Sequence, residues 1–356
     1  PTERLFDSDQ SLPYVLARNG IVTAAVSTLF YMRSWFARGF QNYLNPLAGA
    51  RERTQTVDAE EINSAVIPWL KQNYDKDFFL FVHYWDPHCE STWNAPMPAC
   101  RYQAPERYEQ LYYKGQPKDL DREYVISQYD ANVTYADEEI GKFLRTIDDL
   151  GITDETLVIF TTDHGENLGD DHPTGKNLWD HYDIYEDIVH TPLILRYPKV
   201  FPKKKQIDTF VQNIDLAPTI LDMYGIPAPN DFDGKSLLPI IRGESLEGYQ
   251  EVYVSTGFAT CKRAIITREK MKLIRTYKAR PDSPSRELFD LEKDEREQRN
   301  LVDERKDVAD QLETRMLRWV EFMLGDKPDP LKIRATMGMI GSINKPAVYY
   351  YSIIYP

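Results

Sequence analysis

With 356 residues, 42% of them hydrophobic and 28% charged, the chain is long enough for one large domain or for a large domain with a smaller companion. A formal net charge of -13 argues against a nucleic-acid backbone as the main partner, because phosphate neutralisation needs clustered Lys and Arg. No uninterrupted apolar run approaches the ~18 residues that span a bilayer. The three cysteines, Cys89, Cys100 and Cys261, lack the Cys-x-x-Cys spacing of a thiolate zinc site and read as unpaired thiols, with a Cys89–Cys100 loop as the alternative in an oxidising compartment.

In chain order, SLPYVLARNG (11–20) predicts a short helix stopped by Gly20, and IVTAAVS predicts a buried strand after it. Asp58 and Glu61 form a capping box for a helix with Ile62, Val66 and Trp69 on one face, which Pro68 should kink or shorten. DFFLFVHYW (77–85) is a continuous apolar run that predicts a strand buried on both faces, and its exit carries Asp86, Pro87 and His88. A long loop rich in Pro and Tyr leads to a helix over 122–149, with Val125, Tyr129, Val133, Ile140 and Leu144 on its apolar side and Gly151 at its close. TLVIFTT (156–162) predicts a second buried strand that runs straight into Asp163 and His164. PLILRYP (192–198) predicts another strand, FVQNIDLAPTILDMYGI (210–226) a strand and then a helix from near Pro218, and DFDGKSLLPIIRG a loop with a helical turn.

From about residue 250 the pattern changes to EVYVSTG, RAIITRE, KMKLIRTY and RELFDLE, spaced like an antiparallel meander. The stretch 304–324 predicts an amphipathic helix that turns Val308, Leu312, Met316, Trp319 and Met323 to a core, and the tail from 331, ending AVYYYSIIYP, predicts at most a terminal strand. Together these elements predict an α/β fold. A large mixed, mostly parallel sheet sandwiched by helices is expected over residues 1–249, with a smaller C-terminal α+β unit over 250–356 built on an antiparallel sheet and a helix.

Ligands bind open α/β sheets just beyond the carboxyl ends of the strands, and the strands at 77–85 and 156–162 both deliver His and Asp at that end. The segment TTDHGENLGDDHPTGKNLWDH (161–181) gathers metal-type ligands as no other stretch does. A turn led by Gly165 can bring Asp163 and His164 around one ion, and a carboxylate with an imidazole suits Ca²⁺, Mn²⁺, Mg²⁺ or Zn²⁺. Taken alone, the pair is read equally well as an Asp capping the next turn beside a hydrogen-bonded His. His172 and Lys176 read as a solvated loop tip, His83 as a hydrogen-bonded core histidine, His190 as a support for the loop, and KKK at 203–205 as a solvated turn.

The wider context carries more. TTDHGE, followed by WDHYDIYEDIVHTPLILRYP, resembles the sulfatase family of the alkaline phosphatase superfamily. FFLFVHYWDPH is similar to that family's strand ending in Asp-Pro-His, and YDANVTYADEEIG (129–141) to its Tyr-rich helix. VQNIDLAPTILDMYGIPAP is similar to its D-x-x-P-T-x-L-D motif, and ELFDLEKDEREQRNL to its C-terminal signature. These motifs stand in the family's order and span most of the chain.

The resemblance implies that Asp163 and His164 are two ligands of a single divalent cation, usually Ca²⁺, with Mn²⁺ or Mg²⁺ as alternatives. It implies that His88 lies on the leaving-group side, where it can protonate the departing ester oxygen, and that His181 holds an oxygen of the sulfate or of the leaving group. The implied substrate is a small-molecule or carbohydrate sulfate ester. The family's nucleophile is a formylglycine made from the cysteine of C-x-P-x-R, or a serine in its place, and is expected upstream together with two more aspartate ligands. The chain opens at Pro1 without that motif, as if clipped, so little or no turnover is expected of it. DSPSR (282–286) has Asp282 at the cysteine position and reads as a loop before ELFDLE. Where many relatives have Gly-Lys-x-His, this chain has Val26, Ser27, Thr28 and Leu29. A phosphodiesterase or phosphonate monoester hydrolase of the same superfamily is the alternative, and a non-catalytic remnant a third reading.

Overall fold

The computed structural model describes residues 10–29, 34–46, 57–88, 90–91, 100–102, 104–115, 122–168, 183–201, 203–244, 248–257, 260–279 and 283–336. Two compact units divide the chain. The first comprises Pro1–Ile159, Leu195–Ile207 and Val211–Leu246, and the second Phe160–Ile194, Asp208–Phe210 and Glu247–Pro356.

In the first unit, helix α1 (Leu12–Arg18) ends at Gly20, whose φ of 84° is the left-handed conformation that lets the chain reverse into strand β1 (Val22–Val26). β1 is the centre of a parallel sheet ordered β2-β1-β3, with β2 at Asn42–Leu44 and β3 at Phe78–Val82. Parallel strands need covered faces, and the sequence supplies the covers. Helix α2 (Ala59–Asn73) opens on the expected capping box, the Asp58 amide donating to Glu61 Oε2 at 3.1 Å. Its Ile62 and Val66 pack on Val26, Leu80 and Val82. On the opposite face Leu16 and Ile21 meet Phe79 and the buried Leu221.

Pro68 neither ends nor shortens α2, which continues to Asn73. The proline forfeits one backbone bond, but Ile62, Val66, Trp69 and Leu70 are all buried on both sides of it. Burial at ~1.5–3 kcal/mol per large apolar side chain outweighs that loss.

Strands β4 (Glu90–Ser91) and β5 (Cys100–Arg101) pair antiparallel. The side chain of Cys89 and that of Cys100 lie outside the described residues, as does their suggested pairing; Cys261 is a buried free thiol. Helix α3 (Glu106–Tyr112) packs Tyr108 on Ala131 and Tyr135 of α4 (Arg122–Asp149). Strand β6 (Val158–Thr161) pairs with β7 (Leu193–Arg196), and the short helix α5 (Glu186–Val189) lies between them in sequence. The strand expected at 210 is reduced to a single bridge, Phe210 to Tyr249. A 3-10 turn at Asn213–Asp215 then leads into α6 (Leu216–Met223), and α7 (Leu238–Arg242) is the expected helical turn. Asp215 explains the change, since its carboxylate accepts from the backbone amides of Gln212 and Lys235 and favours a turn over extension.

The second unit is the antiparallel meander, ordered β11-β10-β9-β8, with β8 at Glu251–Thr256, β9 at Cys261–Thr267, β10 at Met271–Lys278 and β11 at Arg286–Asp290. Both faces are covered. Ala264, Ile266, Ile274 and Phe289 pack against Ile184 and Tyr185, while Ile265, Leu273 and Leu288 pack against Ala309, Leu312 and Met316 of α8 (Lys306–Leu324). Trp319 stacks on Tyr253 at 4.2 Å between ring centroids. Met323, expected in this core, is 48% exposed near the end of α8. The chain continues into α9 (Pro330–Thr336), and the suggested terminal strand lies outside the described residues. Among the described residues no helix is long and apolar enough to cross a membrane. The architecture is therefore a mixed α/β fold with a parallel sheet and a separate antiparallel C-terminal sheet.

Candidate active site

β6 delivers the Asp-His pair in the second unit. His164 donates its backbone N–H to Asp163 Oδ1 at 3.0 Å, and its ring Nδ1 lies 2.8 Å from the Gly165 carbonyl oxygen. A carbonyl only accepts, so Nδ1 carries the proton and the acceptor lone pair of the neutral ring is on Nε2. Nε2 lies 3.7 Å from Asp163 Oδ2. Asp163 is 85% exposed and His164 30%, so the two present their ligand atoms at the surface of the unit.

Gly165 is required here by close approach. Its N–H donates to the Ile188 carbonyl at 2.7 Å, and a Cβ at this position would stand 2.0 Å from the Asp187 carbonyl oxygen. The strand end is thus stitched to α5.

The pair passes a simple test as half of a cation site. Bonds of about 2.3–2.6 Å to Ca²⁺ let two ligand atoms on one ion lie up to about 5 Å apart, and 3.7 Å falls within that limit. An imidazole whose second nitrogen donates to a backbone carbonyl is the usual arrangement of a metal-binding histidine. Among the described residues no group of three or more His, Cys, Asp and Glu that could hold a metal ion is assembled.

His88 belongs to the first unit and follows the cis Asp86-Pro87 peptide. Its backbone N–H donates to the Trp85 carbonyl at 2.8 Å, and its ring lies 4.6 Å from the Trp85 ring at a tilt of 34°. Trp85 stands edge-on to His83 at 5.4 Å, and Phe81 stacks on His83 at 6.2 Å. Phe81, His83 and Trp85 alternate along the strand and its exit, so one face of β3 continues as an aromatic ladder up to the His88 imidazole. His83 Nδ1 is 3.1 Å from Ser27 Oγ, which makes it a hydrogen-bonded histidine and ties the exits of β1 and β3 together.

The adjoining Tyr84 turns the other way. Its hydroxyl donates to Asn63 Oδ1 at 2.7 Å, and Asn63 Nδ2 donates to Glu139 Oε2 at 2.8 Å. Burial, reinforced by the Glu139 charge, pushes the Tyr84 phenol well above its ordinary range.

The structure thus brings Asp163 and His164 together and places His88 at the carboxyl end of β3. His181, with His172 and Lys176, lies outside the described residues. His190, 80% exposed, stands 3.9 Å from Glu186. Sequence reasoning passed over the groups that hold α5 in place, Lys262, Lys272, Glu287 and Glu297. The family-like ELFDLEKDEREQRNL stretch could have signalled two of them, since it contains both glutamates.

Comparison with known proteins defines the class. The family model described as Sulfatase matches residues 3–226, and the model described as N-sulphoglucosamine sulphohydrolase, C-terminal, matches residues 175–321. The chain belongs to the sulfatase family of the alkaline phosphatase superfamily. Among curated relatives, the N-acetylglucosamine-6-O-sulfatase of Bacteroides thetaiotaomicron is 31% identical over 184 residues, which cover 49% of this chain and 32% of that one. The matched chain thus spans about a third of that relative's length. Among solved structures, one in complex with its substrate D-glucosamine-2-N,6-O-disulfate superposes with a TM-score of 0.71 at 20% identity, over 91% of this chain and 84% of the other. The phosphonate monoester hydrolase of Silicibacter pomeroyi superposes with a TM-score of 0.63 at 18% identity, over 86% and 79%. These two likenesses concern the fold.

Proposed function

We propose that the protein hydrolyses sulfate esters with the help of a divalent cation, most simply Ca²⁺, with Mn²⁺ or Mg²⁺ as alternatives. The observation that carries the cation reading is the Asp163–His164 geometry, with Nδ1 fixed by the Gly165 carbonyl and Nε2 3.7 Å from the carboxylate. Asp163 and His164 would hold the ion, which when bound supplies positive charge against the anionic ester oxygens. Hydrolysis forms a new S–O bond to the attacking oxygen, ultimately that of water, as the S–O(ester) bond breaks, and the departing oxygen needs a proton. His88 supplies it, its imidazole oriented by the Trp85 ring and by its own backbone bond. His181 would hold a sulfate or leaving-group oxygen.

The substrate class we assign is a small-molecule or carbohydrate sulfate ester, supported by the sulfated glucosamine named for one structural neighbour and by the sugar sulfatase among the relatives. The sequence contains no C-x-P-x-R or S-x-P-x-R. We therefore expect residues 1–356 by themselves to give negligible turnover. Phosphonate monoester hydrolysis is the second reading, favoured by the likeness to the Silicibacter pomeroyi enzyme.

The test is the leaving-group dependence of His88→Ala in the full-length gene product. An alkyl sulfate, whose alkoxide leaves poorly, should lose about 10²–10⁴-fold in kcat, whereas a nitrophenyl sulfate should lose far less. Equal losses on both would remove His88 from the proton-donor role.

A further inference from the structure

Two buried lysines of the meander converge on the stretch that follows residue 182, and neither takes part in the chemistry proposed above. Lys272, fully buried, places Nζ 2.8 Å from Glu186 Oε1 and 2.9 Å from Glu297 Oε1. Glu297 Oε2 accepts the Glu186 backbone N–H at 2.6 Å. Lys262 Nζ lies 2.8 Å from Asp183 Oδ2 and donates to the Tyr185 hydroxyl at 3.1 Å, and that hydroxyl donates to the Glu287 carboxylate. Glu186 opens α5, whose Ile188 carbonyl accepts from Gly165, and the Gly165 carbonyl accepts from His164 Nδ1. A line of hydrogen bonds and ion pairs, continued through the backbone of α5 and of Gly165, therefore runs from the sheet interior to the imidazole of the Asp163–His164 pair, entirely within the second unit.

Stability alone does not account for this arrangement. A buried ion pair is often matched or bettered by apolar side chains of similar volume, because desolvation offsets the attraction. Glu297 also has φ of 54°, a left-handed conformation that is strained for a residue with a side chain. That backbone turn carries a buried carboxylate that meets both Lys272 and the first amide of α5. Such strain belongs where a group must be held in one place.

We infer that Lys272, acting through Glu186 and Glu297, is a positioning residue for the Asp163–His164 cation pair. The inference rests on the cation reading of that pair. Lys272 fixes the start of α5, α5 fixes the Ile188 carbonyl, and through Gly165 the ring of His164 is held with Nε2 toward Asp163.

The test variant is Glu186→Ala. It leaves the Lys272–Glu297 pair and the Glu297 bond to the residue-186 amide intact, and removes the side-chain strut from Lys272 to α5 together with the exposed contact to His190. Calcium titration by calorimetry should show Kd raised about 10-fold, the size of effect seen for groups that orient a metal ligand. Hydrogen exchange in the absence of calcium should show the Gly165 amide exchanging faster, with the β9 and β10 amides unchanged. Lys272→Met combined with Glu297→Gln, which keeps the volume and removes both charges, should do the same if it folds; if it does not, Glu186→Ala decides alone. Unaltered Kd and unaltered Gly165 exchange in Glu186→Ala would overturn the proposal. Absence of saturable calcium uptake by the full-length gene product, or uptake that Asp163→Asn leaves intact, would instead overturn the cation reading, and Gly165 exchange would still report on the strut.

Discussion

At the scale of single residues the decisive positions are those where one atom fixes another. Gly165 is legible in the sequence as the residue after Asp-His, but its reason lies in the 2.0 Å that a Cβ would leave to the Asp187 carbonyl, which no local pattern contains. Glu287 shows a second kind of constraint. Burial, opposed by the Lys262 charge and by the Tyr185 hydroxyl, pushes its carboxyl up to about 7. In the unfolded chain the same group titrates near ~4.3. Between those values the folded state binds more protons, so this group's stabilising contribution is complete at the acid end and is lost as pH rises through about 7. Asp183 and Glu297 face the same cluster and push in the same direction. Replacing Glu287 by Gln removes the titration. Urea unfolding at pH 5 and pH 8 should show the parent losing about 2–3 kcal/mol relative to the variant across that interval. A difference that stays constant with pH would mean that Glu287 ionises in the fold as it does in the open chain.

At the scale of elements, the helix over 122–149 and the meander were readable because their periods are long and unbroken. The carboxyl ends of β3 and β6 were readable as site-bearing for a related reason, a buried run followed at once by His and Asp. The second-unit lysines were not. Lys272 lies between apolar neighbours in MKLIR and Lys262 beside Arg263 in CKRAIIT, and charged residues placed so in a strand ordinarily mark a solvent face. Here helix α8 covers one face of the sheet and the stretch 184–185 the other, so the polar positions are buried as well. Only tertiary structure shows that. Expecting continuous burial of DFFLFV met the opposite limit, for Phe81 is 41% exposed on β3, the edge strand of its three-stranded sheet. The polar link between α2, α4 and the β3 exit is a further non-local feature. Asn63 accepts from the Tyr84 hydroxyl and donates to Glu139 Oε2, while Lys142 holds Oε1, so Asn63→Ala should strand the Tyr84 hydroxyl and take one partner from Glu139, destabilising the protein by about 1–3 kcal/mol in chemical denaturation. A cost below about 0.5 kcal/mol would show that water replaces the amide there.

At the scale of the whole molecule, the net charge of -13 disfavours a nucleic-acid backbone as partner, so the small anionic ester proposed above would have to be met by local positive charge rather than by a basic surface. A parallel sheet ends in His88 behind an aromatic ladder, and a strand end stitched to a short helix carries Asp163 and His164. The fold is shared by sulfatases and by a phosphonate monoester hydrolase, so it does not choose between their chemistries. Side-by-side determination of kcat/KM for an aryl sulfate and an aryl phosphonate monoester, on the full-length gene product with and without Asp163→Asn, makes that choice. A higher kcat/KM for the sulfate, falling by at least about 100-fold in the variant, is the predicted result. Preference for the phosphonate ester, or sulfate release that Asp163→Asn leaves unchanged, would contradict the account.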